Sequence, residues 1–90
     1  MPTLEMTINH PSGLHARPAA KFVQTAVSYP CEIFIRNVSS DGKPVNAKSI
    51  LSVLTLGVNQ GCVVEIEARG DKADDALNAL KALSESGFGE

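Results

Sequence analysis

Seven consecutive residues, Ser12-Gly13-Leu14-His15-Ala16-Arg17-Pro18, carry the chain's most informative chemistry. Proline has no N–H and clashes in a helix interior, so Pro18 belongs in a first turn. That sets a helix start near residue 16 and places His15 at or next to the N-cap. The first N–H groups of a helix have no intrahelical acceptor, and with the helix dipole they form an anion site. Pro18 supplies no donor, which leaves Ala16 and Arg17, with Ala19 a third candidate. Arg17 adds a guanidinium whose fork suits phosphate oxygens. His15 sets a nucleophilic imidazole beside that site, and the dipole opposes its protonation, favouring the neutral ring. A phosphoryl group on the ring would find its oxygens already met by donors. Phosphoryl transfer depends mainly on positioning and charge stabilisation, so this small set is sufficient for a carrier. By spacing alone, the same residues also describe a solvated or capping histidine followed by an ordinary surface arginine, and both readings stand.

The elements that must position this segment follow from periodicity. Residues 3–9 alternate, with Leu4, Met6 and Ile8 on one side, which is the pattern of a half-buried strand. Pro11-Ser12-Gly13 marks a turn. A helix over 16–28 puts Ala19, Phe22, Val23, Ala26 and Val27 on one apolar face, and Pro30 closes it. Residues 31–37 form a second strand with Cys31, Ile33 and Ile35 inward and Phe34 anomalously on the other face. A hairpin loop over 39–42 leads to a short third strand over 43–47, built around Val45. Ser49 is a natural N-cap for a helix over 50–56, which Gly57 ends. Residues 62–68 form a fourth strand, with Cys62, Val64 and Ile66 opposed to Val63, Glu65 and Glu67. Gly70 turns the chain and Asp71 caps a last helix. Asp74 and Asp75 then suit its positive end, Ala73, Ala76, Leu77, Leu80 and Leu83 form its buried stripe, and Gly87 stops it. The order is βαββαβα: an α+β domain with an antiparallel sheet, helices on one face and water on the other.

Composition narrows the function. The chain has 90 residues, enough for one compact domain over 1–90. With 43% apolar residues, one Tyr, three Phe and no Trp, its core must rest on Leu, Ile, Val and Ala. A net charge of -2 without Lys/Arg runs gives no electrostatic case for nucleic acid or anionic membrane. The apolar-rich stretch 50–58 is too short and too interrupted to cross a bilayer, so no membrane insertion is expected. Met1-Pro2-Thr3-Leu4-Glu5 lacks the basic start and apolar run of a secretory signal, so the cytosol is the expected location. Cys31 and Cys62 show no metal-ligand spacing. They are expected to be small buried residues. No metal and no cofactor is expected.

Gly13-Leu14-His15-Ala16-Arg17-Pro18-Ala19 resembles the signature of HPr, the histidine-containing phosphocarrier of the bacterial phosphoenolpyruvate-dependent phosphotransferase system. The likeness runs through Lys48-Ser49-Ile50 with Leu54, Leu56 and Gly57, through residues 74–80, and through the Gly87-Phe88-Gly89-Glu90 tail. It implies an open-faced β-sandwich with strand order 1-4-2-3 and three helices on one face. It implies that His15 accepts a phosphoryl group on Nδ1 from Enzyme I and passes it to sugar-transport components of the EIIA type, without independent turnover. Arg17 is implied as the phosphate-stabilising residue. The Phe34-Ile35-Arg36-Asn37 stretch is similar to the nitrogen-related branch (NPr), whereas Lys48-Ser49-Ile50 is similar to the sugar branch. The loop over 37–43 is a few residues longer than the common form.

The resemblance gives three further expectations. Ser49 matches a serine that a dedicated HPr kinase/phosphorylase modifies in many bacteria, and it is at the same time a plain helix cap. A phosphate there would favour the helix start and could repel an acidic upstream partner. Ile50, Leu51 and Leu54 match an apolar docking patch, and Leu51 and Leu54 are expected to be more exposed than core residues. A regulatory module acting through Ser49 on a transcription factor is the alternative function. His15 speaks against it, because purely regulatory relatives lack that histidine. His10 reads as a solvated loop residue, Phe22 and Phe88 as packing residues, and a monomer is the expected state.

Overall fold

The structure, a computed structural model, describes residues 3–8, 13, 16–40 and 42–87. Seven elements appear in the order expected: β1 (Thr3–Thr7), α1 (Ala16–Val27), β2 (Glu32–Asn37), β3 (Val45–Asn46), α2 (Ile50–Thr55), β4 (Val63–Arg69) and α3 (Ala73–Glu85). The strands form one antiparallel sheet in the order β1-β4-β2-β3. Sequence parity decides its faces. Ile8, Ile33, Ile35, Val64, Ile66 and Ala68 point to the same side and are buried with Ala19, Phe22 and Ala26 of α1 and Ala73, Ala76, Leu77 and Leu80 of α3. All three helices therefore cover one face, and α1 packs between α2 and α3.

The opposite face carries the alternate residues. Glu65 lies across from both Glu5 and Arg36, and the Arg36 Nε bonds Glu65 Oε1 at 3.0 Å, so a cation sits beside this pair of like charges. Phe34 is half-buried on this face, with the Arg69 guanidinium 5.1 Å from its ring centroid. That cation–π contact accounts for an aromatic residue on the polar side.

Four local expectations need correction. Val27 is 54% exposed, because α1 ends there and its last turn runs past the sheet-facing stripe. The third strand is two residues long, since only Val45 and Asn46 pair with β2. Cys62 is half-buried, because the strand begins one residue after it, while Cys31 is buried as expected. Asp71 does not cap α3. Lys72 occupies that position with φ 62° and no side-chain cap bond. The phase of α3 is set by burying Ala73, Ala76, Leu77 and Leu80, and the chain enters that phase through a left-handed residue. Asp74 and Asp75 still lie in the first turn, where carboxylates favour the dipole.

Candidate functional site

The site is built from the start of α1. The helix begins at Ala16, so Arg17 and Pro18 occupy its first turn, as the proline requires. Pro18 and Ala19 are buried and Arg17 is exposed, which turns the cationic side chain outward while the proline ring anchors the turn. The first N–H groups of this twelve-residue helix, those of Ala16 and Arg17, have no carbonyl one turn earlier in the helix to bond. His15 immediately precedes the first helical residue in sequence. It lies outside the described residues, as do Ser12, Leu14, His10, Phe88, Asp41 and the other residues of the tail.

The described residues around this segment show what holds it. Gly13 has φ +65°, in the left-handed region, and a Cβ there would stand 2.3 Å from the Val58 carbonyl oxygen and 2.7 Å from Asn59 Cα. Both the backbone angle and the space demand glycine. Upstream, the buried Ile8 donates its N–H to the Cys62 carbonyl at 2.9 Å and accepts the Gly61 N–H at 2.7 Å. The loop over 57–62 thus grips the chain at Ile8 and again at Gly13, two residues before His15. The sequence marked Gly13 only as part of a turn. This contact joins segments more than forty residues apart, and no local signal announces it.

That loop is the direct continuation of α2. Ser49 has extended backbone angles and its Oγ accepts the Ser52 N–H at 3.4 Å, so it is the N-cap expected. Val53 is the buried residue of α2. Ile50, Leu51 and Leu54 are 42%, 72% and 36% exposed. Three large apolar side chains on one short helix thus face outward, Ile50 along with the two expected. The Lys48 Nζ donates to the Tyr29 carbonyl at 2.7 Å, just past the end of α1. The cap end of α2 therefore lies toward the C-terminal end of α1, and its loop end toward Gly13 and the start of α1.

Among the described residues, no group of three His, Cys, Asp or Glu side chains could hold a metal ion. Cys31 and Cys62 are free thiols, and the register of β2 with β4 puts them at opposite ends of neighbouring strands. No helix among the described residues is long and apolar enough to cross a membrane.

Comparison with known proteins bears on this arrangement. The family profile described as PTS HPr component phosphorylation site matches residues 3–86. The phosphocarrier protein HPr of Pseudomonas aeruginosa is 44% identical, over 100% of this chain and 98% of that protein. The crystal structure of HPr-C-His from Thermoanaerobacter tengcongensis superposes with a TM-score of 0.93 at 48% identity, covering 100% of this chain and 98% of that one. Crh, the catabolite-repression protein of Bacillus subtilis, seen as a swapped dimer, gives a TM-score of 0.73 at 37% identity with 97% of each chain covered.

Proposed function

Because this chain belongs to the PTS HPr family of phosphocarriers, we propose that it accepts a phosphoryl group on His15 from phosphorylated Enzyme I and delivers it to EIIA-type sugar-transport components. The observation that carries this reading is the start of α1: a first turn whose leading N–H groups have no acceptor within the helix, with Pro18 buried and Arg17 exposed, entered through a glycine locked against the α2–β4 loop.

In this mechanism the Nδ1 lone pair of neutral His15 attacks phosphorus. A nitrogen–phosphorus bond forms as the donor's bond to phosphorus breaks, and the donor keeps that electron pair. The N–H groups of Ala16 and Arg17 and the Arg17 guanidinium meet the phosphoryl oxygens. The dianionic product favours protonation of the other ring nitrogen, so the ring's pKa rises on phosphorylation. Delivery to the acceptor reverses these steps. The chain is a carrier in a relay, without turnover of its own, and it works as a cytosolic monomer.

Ile50, Leu51 and Leu54 are the docking patch in this reading, since their exposure costs the domain apolar burial that a partner would recover. Partners read protein surface here, and no cofactor takes part. A second reading is supported by the Ser49 cap and by likeness to Crh: phosphorylation of Ser49 by an HPr kinase/phosphorylase, with docking to a transcription factor. Acid separates the two, because phosphohistidine is lost in it and phosphoserine survives.

The test is incubation with phosphoenolpyruvate and Enzyme I proteins of the sugar and nitrogen branches in turn, followed by intact mass. Addition of one phosphoryl group by the sugar-branch enzyme supports the reading as stated. Addition only by the nitrogen-branch enzyme moves the chain to the NPr branch, and addition by neither removes the carrier function.

A further inference from the structure

Asn37 is the buried polar side chain of the core, 2% exposed among the described residues. Strand alternation places it on the inward face of β2 with Ile33 and Ile35, where an apolar residue would ordinarily stand. A polar side chain buried there costs stability unless its hydrogen bonds are made. They are made in two directions. Its Oδ1 accepts the Ser40 N–H at 3.3 Å, and its Nδ2 donates to the Leu56 carbonyl at 3.4 Å. Its own carbonyl accepts the Gly42 N–H at 2.9 Å.

The Leu56 carbonyl matters because of where it lies. Leu56 is the C-cap of α2, and the last carbonyls of a helix have no partners within it. A six-residue helix has no stability of its own, so its orientation must come from tertiary ties. Those seen here are Val53 in the core with Leu56 packed against it, the buried Ala47 and Val58 on either side of the helix, Lys48 at the leading end, and the Asn37 side-chain hydrogen bond at the trailing end. From these contacts we infer that Asn37 is the positioning residue of the docking helix, setting the tilt at which α2 presents Ile50, Leu51 and Leu54 to Enzyme I. Buried as it is, Asn37 offers no surface to a partner and acts through the Leu56 carbonyl. This inference rests on the carrier reading and on its docking patch.

The test compares Asn37→Leu and Asn37→Ala with wild type and Leu51→Glu. Asn37→Leu keeps nearly the same volume in the core, adds no buried charge, and removes the donor to Leu56. Two quantities are read: steady-state phosphorylation by Enzyme I as the concentration of this chain is varied, and amide hydrogen exchange of residues 54–61 against that of α3. Loss of one buried hydrogen bond corresponds to roughly a three- to tenfold effect. Both Asn37 variants should raise KM by about that factor with kcat within about twofold, and should speed exchange at 54–61 while α3 stays protected. A merely structural role would instead lower the fraction of folded, phosphorylatable chain and speed exchange everywhere. Unchanged KM in folded variants overturns the inference, and so does a fall in kcat at constant KM. If wild type accepts no phosphoryl group, or Leu51→Glu leaves KM unchanged, the carrier or docking reading has failed. The exchange data then decide the Asn37 tie alone: locally faster exchange supports it and unchanged exchange overturns it.

Discussion

Helices α2 and α3 lie on the same side of the sheet and use their apolar residues in opposite ways. α3 runs thirteen residues and buries Ala73, Ala76, Leu77 and Leu80 against β4, β1 and α1. α2 runs six, buries Val53, and leaves Ile50, Leu51 and Leu54 in contact with solvent. Full burial of a leucine is worth about 1.5–3 kcal/mol, so α3 is a principal contributor to stability. α2 withholds that contribution, and is held at its ends by a serine cap, a lysine–carbonyl bond and the Asn37 bond. The difference teaches where the domain can present a surface to other proteins: on the helix whose loss of packing the rest of the fold can tolerate.

The comparison can be broken by substitution. Leu80→Ala should have the largest effect, a loss of about 2–5 kcal/mol in urea unfolding, because a fully buried leucine leaves a cavity. A loss below about 1 kcal/mol would mean that α3 is not the anchor. Gly13→Ala should come next, costing more than about 1 kcal/mol, since the left-handed φ and the Val58 carbonyl both oppose a Cβ. It should also shift the amide resonances of residues 57–62; shifts confined to residue 13 and its immediate neighbours would show that the grip on the segment is not real. Ser49→Ala should cost about 0.5 kcal/mol, at the low end for an N-cap, because its bond is 3.4 Å long. Leu51→Glu should move stability by no more than about 0.5 kcal/mol while slowing phosphoryl exchange with Enzyme I. If Leu51→Glu melts the domain, α2 is core and the contrast with α3 disappears.

The sheet, its order and most of the core follow from simple patterns and from family resemblance. Alternation placed Ile8, Ile33, Ile35, Val64 and Ile66 on one face, and 3.6-residue spacing placed Ala19, Phe22 and Ala26 there too. The Ser49 cap and the exposure of Leu51 and Leu54 were equally legible, because each depends on a few neighbouring residues. What stayed hidden depends on contacts between distant segments. Gly13 against Val58, Asn37 to Leu56 and Lys48 to Tyr29 join parts of the chain that sequence spacing does not relate. The left-handed Lys72 was hidden for another reason: the packing phase of α3 overrode the local preference for Asp71 as a cap. At the candidate site, the type and order of Gly13, His15, Arg17 and Pro18 suggested the chemistry, and the structure supplied what braces the segment from behind.

The central claim concerns one residue, and it is tested most directly by product mass. Wild type and His15→Ala should be incubated with phosphoenolpyruvate and Enzyme I, and the product mass read before and after brief acid treatment. One phosphoryl group is expected on wild type, lost in acid, and none on His15→Ala, whose circular dichroism should match that of wild type. Acid-labile phosphorylation retained by His15→Ala would falsify the assignment of His15 as the acceptor.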